Sequence, residues 1–319
     1  MHTVILATGG TIAGTADTAA SHTAYRAGQL DVQMLVAAVP ALAAWPLRAR
    51  QLAQVDSKDM SHPLWQQLVR DVAAELARDD VSGIVITHGT DTLEETACLL
   101  QRVLAPDKPV VLTAAMRPAT ALQTDGPQNL LDATTVARQT GAHGVLVVLA
   151  GQVHAAETVQ KLDPYRLDAF GSLDTGPVAR VEDGCVRSLR PWPTGTALGA
   201  GLVERTLADW PRVGWITSHA GFDAALVDAA VASGFDGLVL AGTGNGSLHV
   251  ELQRAAVRAQ QAGVALRLCT RCVGGRVVGQ GAGGIQVSDA ASAAQACVAL
   301  LLDLLGQPVR KSQPPQEVP

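Results

Sequence analysis

The chain reads as an α/β protein of two domains. The larger, N-terminal one is built on a doubly wound, mostly parallel sheet, and the smaller, C-terminal one is also α/β. Three observations predict this. Short β-branched runs alternate with helical patterns along the chain, the order that βαβ units produce. The runs are apolar throughout rather than alternating, as strands buried on both faces are. The 319 residues, 48% hydrophobic and only 3% aromatic, supply enough Ala, Val and Leu for two cores of ordinary size.

The expected strands are Val4–Ala7, Gln51–Val55, Ile84–Thr87, Val110–Thr113, Val145–Leu149, Val213–Thr217, Leu238–Ala241 and Ala265–Cys269. Between them lie helical patterns at Pro63–Arg78, Leu93–Val103, Pro127–Gln139, Ala224–Ala232, His249–Gln261 and Ala290–Leu305. The stretch from Arg190 to Pro211, rich in Pro and Gly, has no period. It predicts a linker (191–211) between a catalytic domain (1–190) and a C-terminal domain (212–319). Four prolines in Gln307–Pro319 predict a frayed tail.

A formal charge of −5 without a basic stripe argues against nucleic acid as partner. No apolar run reaches the roughly 18 residues of a membrane span. Met1-His2 leads straight into a strand, so no signal peptide is expected. Five scattered cysteines, an odd number, fit a reducing compartment and a cytoplasmic location. Cys269-x-x-Cys272 lacks the further ligands of a structural zinc site and reads as thiols near a strand end rather than a metal or redox site.

Chemistry concentrates at strand ends, the rim where open α/β sheets bind ligands. Thr11 follows the first strand on a turn carrying Gly9 and Gly10, where backbone can approach a ligand closely. It is a candidate nucleophile, with a plain strand-to-loop turn as the simpler reading. The turn is not G-x-G-x-x-G, which weakens nucleotide readings. Thr90 and Asp91 end a later strand in Thr87-His88-Gly89-Thr90-Asp91-Thr92. There Asp91 as N-cap with Glu94 three residues on resembles a capping box. Asp56-Ser57-Lys58-Asp59 and Ala114-Ala115-Met116-Arg117 close two more strands the same way, the first reading equally well as a capping turn. Lys161 is the candidate for lowering a hydroxyl pKa, against a solvated surface lysine. Tyr25 lies in a Gly- and Ala-rich stretch, 14 residues past Thr11, that reads as a lid or an ordinary loop. In the second domain Ser247 ends Gly242-Thr-Gly-Asn-Gly-Ser247 as an expected N-cap.

Together these stretches resemble the bacterial-type L-asparaginase/glutaminase family through almost the whole chain. The resemblance is carried by Ala7-Thr-Gly-Gly-Thr-Ile-Ala-Gly14, Ile86-Thr-His-Gly-Thr-Asp-Thr92 with Glu94-Glu95-Thr96, Lys108-Pro-Val-Val with Ala115-Met-Arg-Pro118, Asp125-Gly-Pro127 with Asn129-Leu130, and Gly244-Asn-Gly246. It implies hydrolysis of a side-chain amide with release of ammonia, using no metal or cofactor. Thr11 matches the nucleophile, Tyr25 its lid partner, and Thr90, Asp91 and Lys161 a second Thr–Asp–Lys group. Ser57 matches a substrate-carboxylate ligand, Asp91 an α-ammonium ligand, and backbone near Thr90 and Ala115 the groups around the scissile amide. The resemblance also implies a homotetramer of close dimers, each site completed by a neighbour's C-terminal domain. The chain departs from the pattern at Lys58, where many members carry Gln, at Gln160, where Thr is usual, and at Ser247, where many carry Asn. Lys58 is expected either to pair with a substrate carboxylate or to alter affinity and stereochemical preference, and the smaller Ser247 to admit glutamine as a slower substrate. Rival readings are a nucleotide-binding dehydrogenase, which the missing phosphate motif disfavours, and a non-catalytic amino-acid-binding protein, which the intact threonines disfavour. A tRNA-dependent amidotransferase subunit fits the acidic composition poorly.

Overall fold

The computed structural model describes residues 1–18, 20 and 23–308. Most of the tail expected to fray lies outside these residues. The large sheet is formed by β1 (His2–Gly9), β2 (Leu47–Val55), β3 (Val81–Thr87), β4 (Pro109–Thr113), β5 (Gly144–Leu149), β6 (Gln152–Ala155), β7 (Ala179–Glu182) and β8 (Cys185–Ser188). Its order is β8-β7-β6-β5-β4-β3-β1-β2. The five strands β1 to β5 are parallel, and β6 to β8 extend them antiparallel. The parallel part thus runs 2-1-3-4-5, and its order reverses between β1 and β3, the position at which such sheets open a binding crevice.

Successive residues of the parallel strands serve different cores, as a period of two requires. Val4, Leu6, Ile84, Ile86, Val110 and Leu112 face α2 (His62–Leu76) and α3 (Leu93–Leu104). Ile5, Ala7, Val85 and Val111 face α1 (Val32–Ala37) and α4 (Gly126–Ala137). Burial on both faces explains the uninterrupted apolar runs, and each such Val, Leu or Ile contributes about 1.5–3 kcal/mol.

The small sheet is parallel, in the order β9 (Val213–Thr217), β10 (Gly237–Gly242), β11 (Ala265–Thr270). One face is covered by α5 (Ala225–Ala232) and α6 (Val250–Gln261), and the other by α7 (Ala293–Leu305). The last helix joins the two sheets. Its Ala296, Leu300 and Leu304 pack on Val239 and Ala241, while Val298, Leu301, Leu302 and Leu305 enter the core of the large sheet. The aperiodic stretch after Arg190 is docked rather than loose. It holds two 3-10 turns, Ala200–Glu204 and Leu207–Asp209, and Gln66 Nε2 donates to Val203 O (2.6 Å) and Arg205 O (3.0 Å).

Candidate functional site

The turns after β1 and β3 meet at the switch point. Gly9 and Gly10 have φ of 114° and 79°, and Gly10 N donates to Val55 O at 2.8 Å. A methyl on Gly10 would lie 2.5 Å from Gly89 Cα and 2.6 Å from His88 O. A methyl on Gly89 would meet Ser57 Cβ at 2.8 Å. Glycine is therefore required where backbone touches backbone, and this contact sets Thr11 and Thr90 side by side on one rim. Thr11 opens a single 3-10 turn, Thr11–Ala13, and is 6% exposed.

Each threonine hydroxyl has its own proton partner. Thr11 Oγ1 and Tyr25 Oη are 2.7 Å apart. Tyr25 is held over the turn by a short antiparallel pairing of Thr15–Ala16 with Tyr25–Arg26. Lys161 Nζ donates to Thr90 Oγ1 at 2.9 Å and to Asp91 Oδ1 at 2.6 Å. The ammonium holds the Thr90 oxygen in a field that favours negative charge.

Ser57 is buried; its Oγ accepts from Asp91 N at 3.1 Å, and its carbonyl accepts from Thr92 Oγ1 at 2.8 Å. The capping reading of this turn holds as well, since Asp56 accepts from Lys58 N at 3.4 Å. Lys58 does not stand free for a substrate carboxylate: its ammonium pairs with Asp59 and lies 3.9 Å from Asp56, and these carboxylates raise its pKa. Ala115 is buried at the start of a turn fixed by Asp125, which accepts from Met116 N and Arg117 N, both at 2.9 Å, and from Asn129 Nδ2 at 3.1 Å.

Two expected caps are corrected. The N-cap position of α3 is Thr92, whose hydroxyl bonds the Ser57 carbonyl rather than capping the helix; the Asp91 carboxylate goes to Lys161 instead. The N-cap of α6 is His249, whose side chain accepts from Glu251 N. Ser247 is exposed in the turn after β10 and exchanges backbone bonds of 2.8 Å with Thr243.

His88 and Thr96 stand in the quoted motifs without an assigned role, and Trp65 stands outside them; the fold joins the three. His88 is fully buried, and burial depresses its pKa to about 4. Nδ1 carries the proton and donates to the Gly89 carbonyl at 2.7 Å, because a carbonyl only accepts. Nε2 therefore accepts from Thr96 Oγ1 (3.1 Å), which accepts from Trp65 Nε1 (3.0 Å). This chain braces the Gly89 peptide from beneath. No spacing marks it in the sequence, because His88 precedes α3 and only Thr96 lies on that helix.

Among the described residues no group of three or more His, Cys, Asp or Glu is placed to hold a metal ion. Cys269 and Cys272 are free thiols, one buried and one exposed.

The N-terminal asparaginase model matches residues 2–193, and the glutaminase/asparaginase C-terminal domain model matches residues 212–312. The chain belongs to the asparaginase family. It is 38% identical to L-asparaginase 2 of Bacillus subtilis over 86% of this chain and 73% of that one. Identity to L-asparaginase 2 of Escherichia coli is 35%, over 82% and 75%. Identity to the glutaminase-asparaginase of Pseudomonas fluorescens is 36%, over 82% and 73%. A solved structure, the probable cytoplasmic L-asparaginase of Campylobacter jejuni, matches with a TM-score of 0.89 at 32% identity, covering 96% of this chain and 95% of that one.

Proposed function

We propose that this member of the family hydrolyses the side-chain amide of L-asparagine to L-aspartate and ammonia, and acts more slowly on L-glutamine. The observation that carries the reading is the pair of threonine hydroxyls at one switch point, each bonded to a different proton-transfer group. A threonine hydroxyl is a weak nucleophile near neutral pH and needs such a partner.

In this reading Thr11 Oγ1 attacks the amide carbon while Tyr25 accepts its proton and passes its own phenolic proton toward the amide nitrogen. The carbonyl oxygen gains negative charge, and N–H donors of the two glycine-rich turns stabilise it, each by about 3–4 kcal/mol. The C–N bond breaks and the proton leaves with ammonia, giving an ester on Thr11. Water, polarised by Thr90 under the influence of Lys161, then cleaves the ester and returns a proton to Thr11. The Ser57 hydroxyl, already accepting from Asp91 N, keeps its own proton to donate to the substrate carboxylate. Asp91 uses the oxygen not bonded to Lys161 for the α-ammonium, and the Ala115 backbone receives the scissile amide. Lys58 tunes the field near the carboxylate through Asp56 and Asp59.

The exposed position of Ser247 in the turn after β10 supports a role for it in a neighbouring copy's site within a homotetramer. The domain division at 191–211 is supported by the gap between the two matched family models. A cytoplasmic location is favoured by the free thiols; among the described residues no helix is long and apolar enough to cross a membrane. Ammonia release from L-asparagine, L-glutamine and D-asparagine tests the reaction. Activity on L-asparagine that Thr11→Val abolishes is the expected result, and no release from any of the three overturns the proposal.

A further inference from the structure

Lys161 carries the second threonine's chemistry, yet it sits on a strand of only two residues, Gln160–Lys161, paired with Phe170–Gly171. So short a strand fixes its own backbone poorly. What fixes it lies elsewhere. Glu94, in the first turn of α3, accepts the Lys161 backbone N–H on Oε2 at 2.7 Å. Its other oxygen, Oε1, accepts from Ser292 Oγ at 2.8 Å. Ser292 caps α7 by accepting from Gln295 N at 3.2 Å. Gln295, fully buried, donates through Nε2 to Val159 O at 2.9 Å and to Ala156 O at 3.2 Å. The segment leading into Lys161 is thus held at Ala156, Val159 and Lys161 itself, by one carboxylate and by the start of the helix that joins the two sheets.

We infer that Glu94 is a positioning residue for Lys161 and that, through Ser292 and Gln295, it ties the placement of the lysine ammonium to the docking of the last helix. The inference rests on the function proposed above for Lys161. The carboxylate suits the task because it only accepts, so both of its oxygens pull on donors, one from the strand and one from α7. Glutamine at this position retains both contacts with its carbonyl toward Lys161 N–H and its amide toward Ser292 Oγ, since a hydroxyl also accepts. Alanine keeps neither. A catalytic group displaced by about 1 Å loses about 10²-fold in rate.

The test combines three variants with two measurements. Lys161→Met first asks whether the lysine matters: retention of wild-type turnover in that variant overturns the assigned chemistry and this inference with it. If Lys161→Met is inactive, Glu94→Ala is expected to lose about 10²-fold in kcat with little change in KM, and Glu94→Gln to stay within about threefold. Hydrogen exchange followed by mass spectrometry supplies a readout independent of turnover. The peptide spanning Ala156–Leu162 is expected to exchange faster in Glu94→Ala, but not in Glu94→Gln, while the β1 and β3 peptides are unchanged. Wild-type kcat per folded molecule in Glu94→Ala, or unaltered exchange over Ala156–Leu162, overturns the positioning role while leaving the proposed function intact. Equal loss in Glu94→Gln and Glu94→Ala also overturns it.

Discussion

Replacing Gly10 by alanine tests whether backbone contact between the two glycine-rich turns is what assembles the site. Two separate costs arise. At φ of 79° and ψ of −174°, a conformation essentially confined to glycine, an alanine pays about 1–3 kcal/mol. Its methyl would also sit 2.5 Å from Gly89 Cα and 2.6 Å from His88 O, and overpacking of this kind costs about 1–3 kcal/mol. Both neighbours are backbone. Gly10 N is held by Val55 O and His88 N by Thr113 O, at 2.8 and 2.9 Å, so no side chain can swing aside. The turns must part by about 1 Å to reach ordinary contact. Gly10→Ala is therefore expected to lose about 2–6 kcal/mol of stability and about 10²-fold in kcat/KM. Gly141→Ala is the control: its φ is 81°, with open space around the added methyl, so it pays the conformational cost alone. Urea denaturation and ammonia-release kinetics, normalised to folded protein, separate the two terms. A folded Gly10→Ala within about threefold of wild-type kcat/KM refutes the reasoning. So does a Gly141→Ala variant that loses as much activity.

Three further outcomes are expected. Thr96→Val leaves Trp65 Nε1 and His88 Nε2 buried without their partner, so its urea midpoint is expected to fall by the equivalent of about 2–4 kcal/mol; an unchanged midpoint contradicts the bracing role of that chain. Asp125→Asn turns an amide N–H toward one of the three donors that Asp125 accepts from, and kcat/KM is expected to fall about tenfold or more as the Ala115 turn moves; wild-type kinetics contradict this. Burial, with Glu94 adding to it, lifts Glu95 to about 7 in the folded chain from its ordinary 4.5. The folded state then holds a proton that the unfolded chain releases, so stability is lost as pH rises from 4.5 through 7, by about 1–3 kcal/mol once partial exposure is discounted. Glu95→Gln is expected to melt higher than wild type at pH 8 and equally at pH 5; the reverse order contradicts the burial argument.

The parallel strands were legible because burial on both faces leaves an unmistakable apolar run, as in Val110–Thr113. The edges were less so. β2 begins at Leu47, but Arg48 and Arg50 point outward from an edge strand, and only Gln51–Val55 reads as strand. The antiparallel strands β6, β7 and β8 have four residues each and carry His154, Arg180, Glu182 and Arg187, so no pattern marks them. α1 is a six-residue helix, too short for a period to show. The threonines, Asp91 and Lys161 were legible as strand-end polar residues, and the structure brings Lys161 to Thr90 and Asp91 and Tyr25 to Thr11. The bonds that hold them were not. Glu94 reads as half of a capping box, and only the fold reveals that it spans α3, the Lys161 strand and α7. Likewise, the order of elements assigns α7 to the second domain, whereas its two apolar stripes serve both cores.

The proposed reaction makes Thr11, not Thr90, the residue that bonds covalently to the substrate. Acid quenching during turnover of L-asparagine, followed by peptide mass spectrometry, tests it most directly, with Lys161→Met included to slow the second step. The account predicts an aspartyl ester on the peptide bearing Thr11, enriched in Lys161→Met and missing in Thr11→Val. An ester on the peptide bearing Thr90, or turnover by Thr11→Val at the wild-type rate, contradicts it.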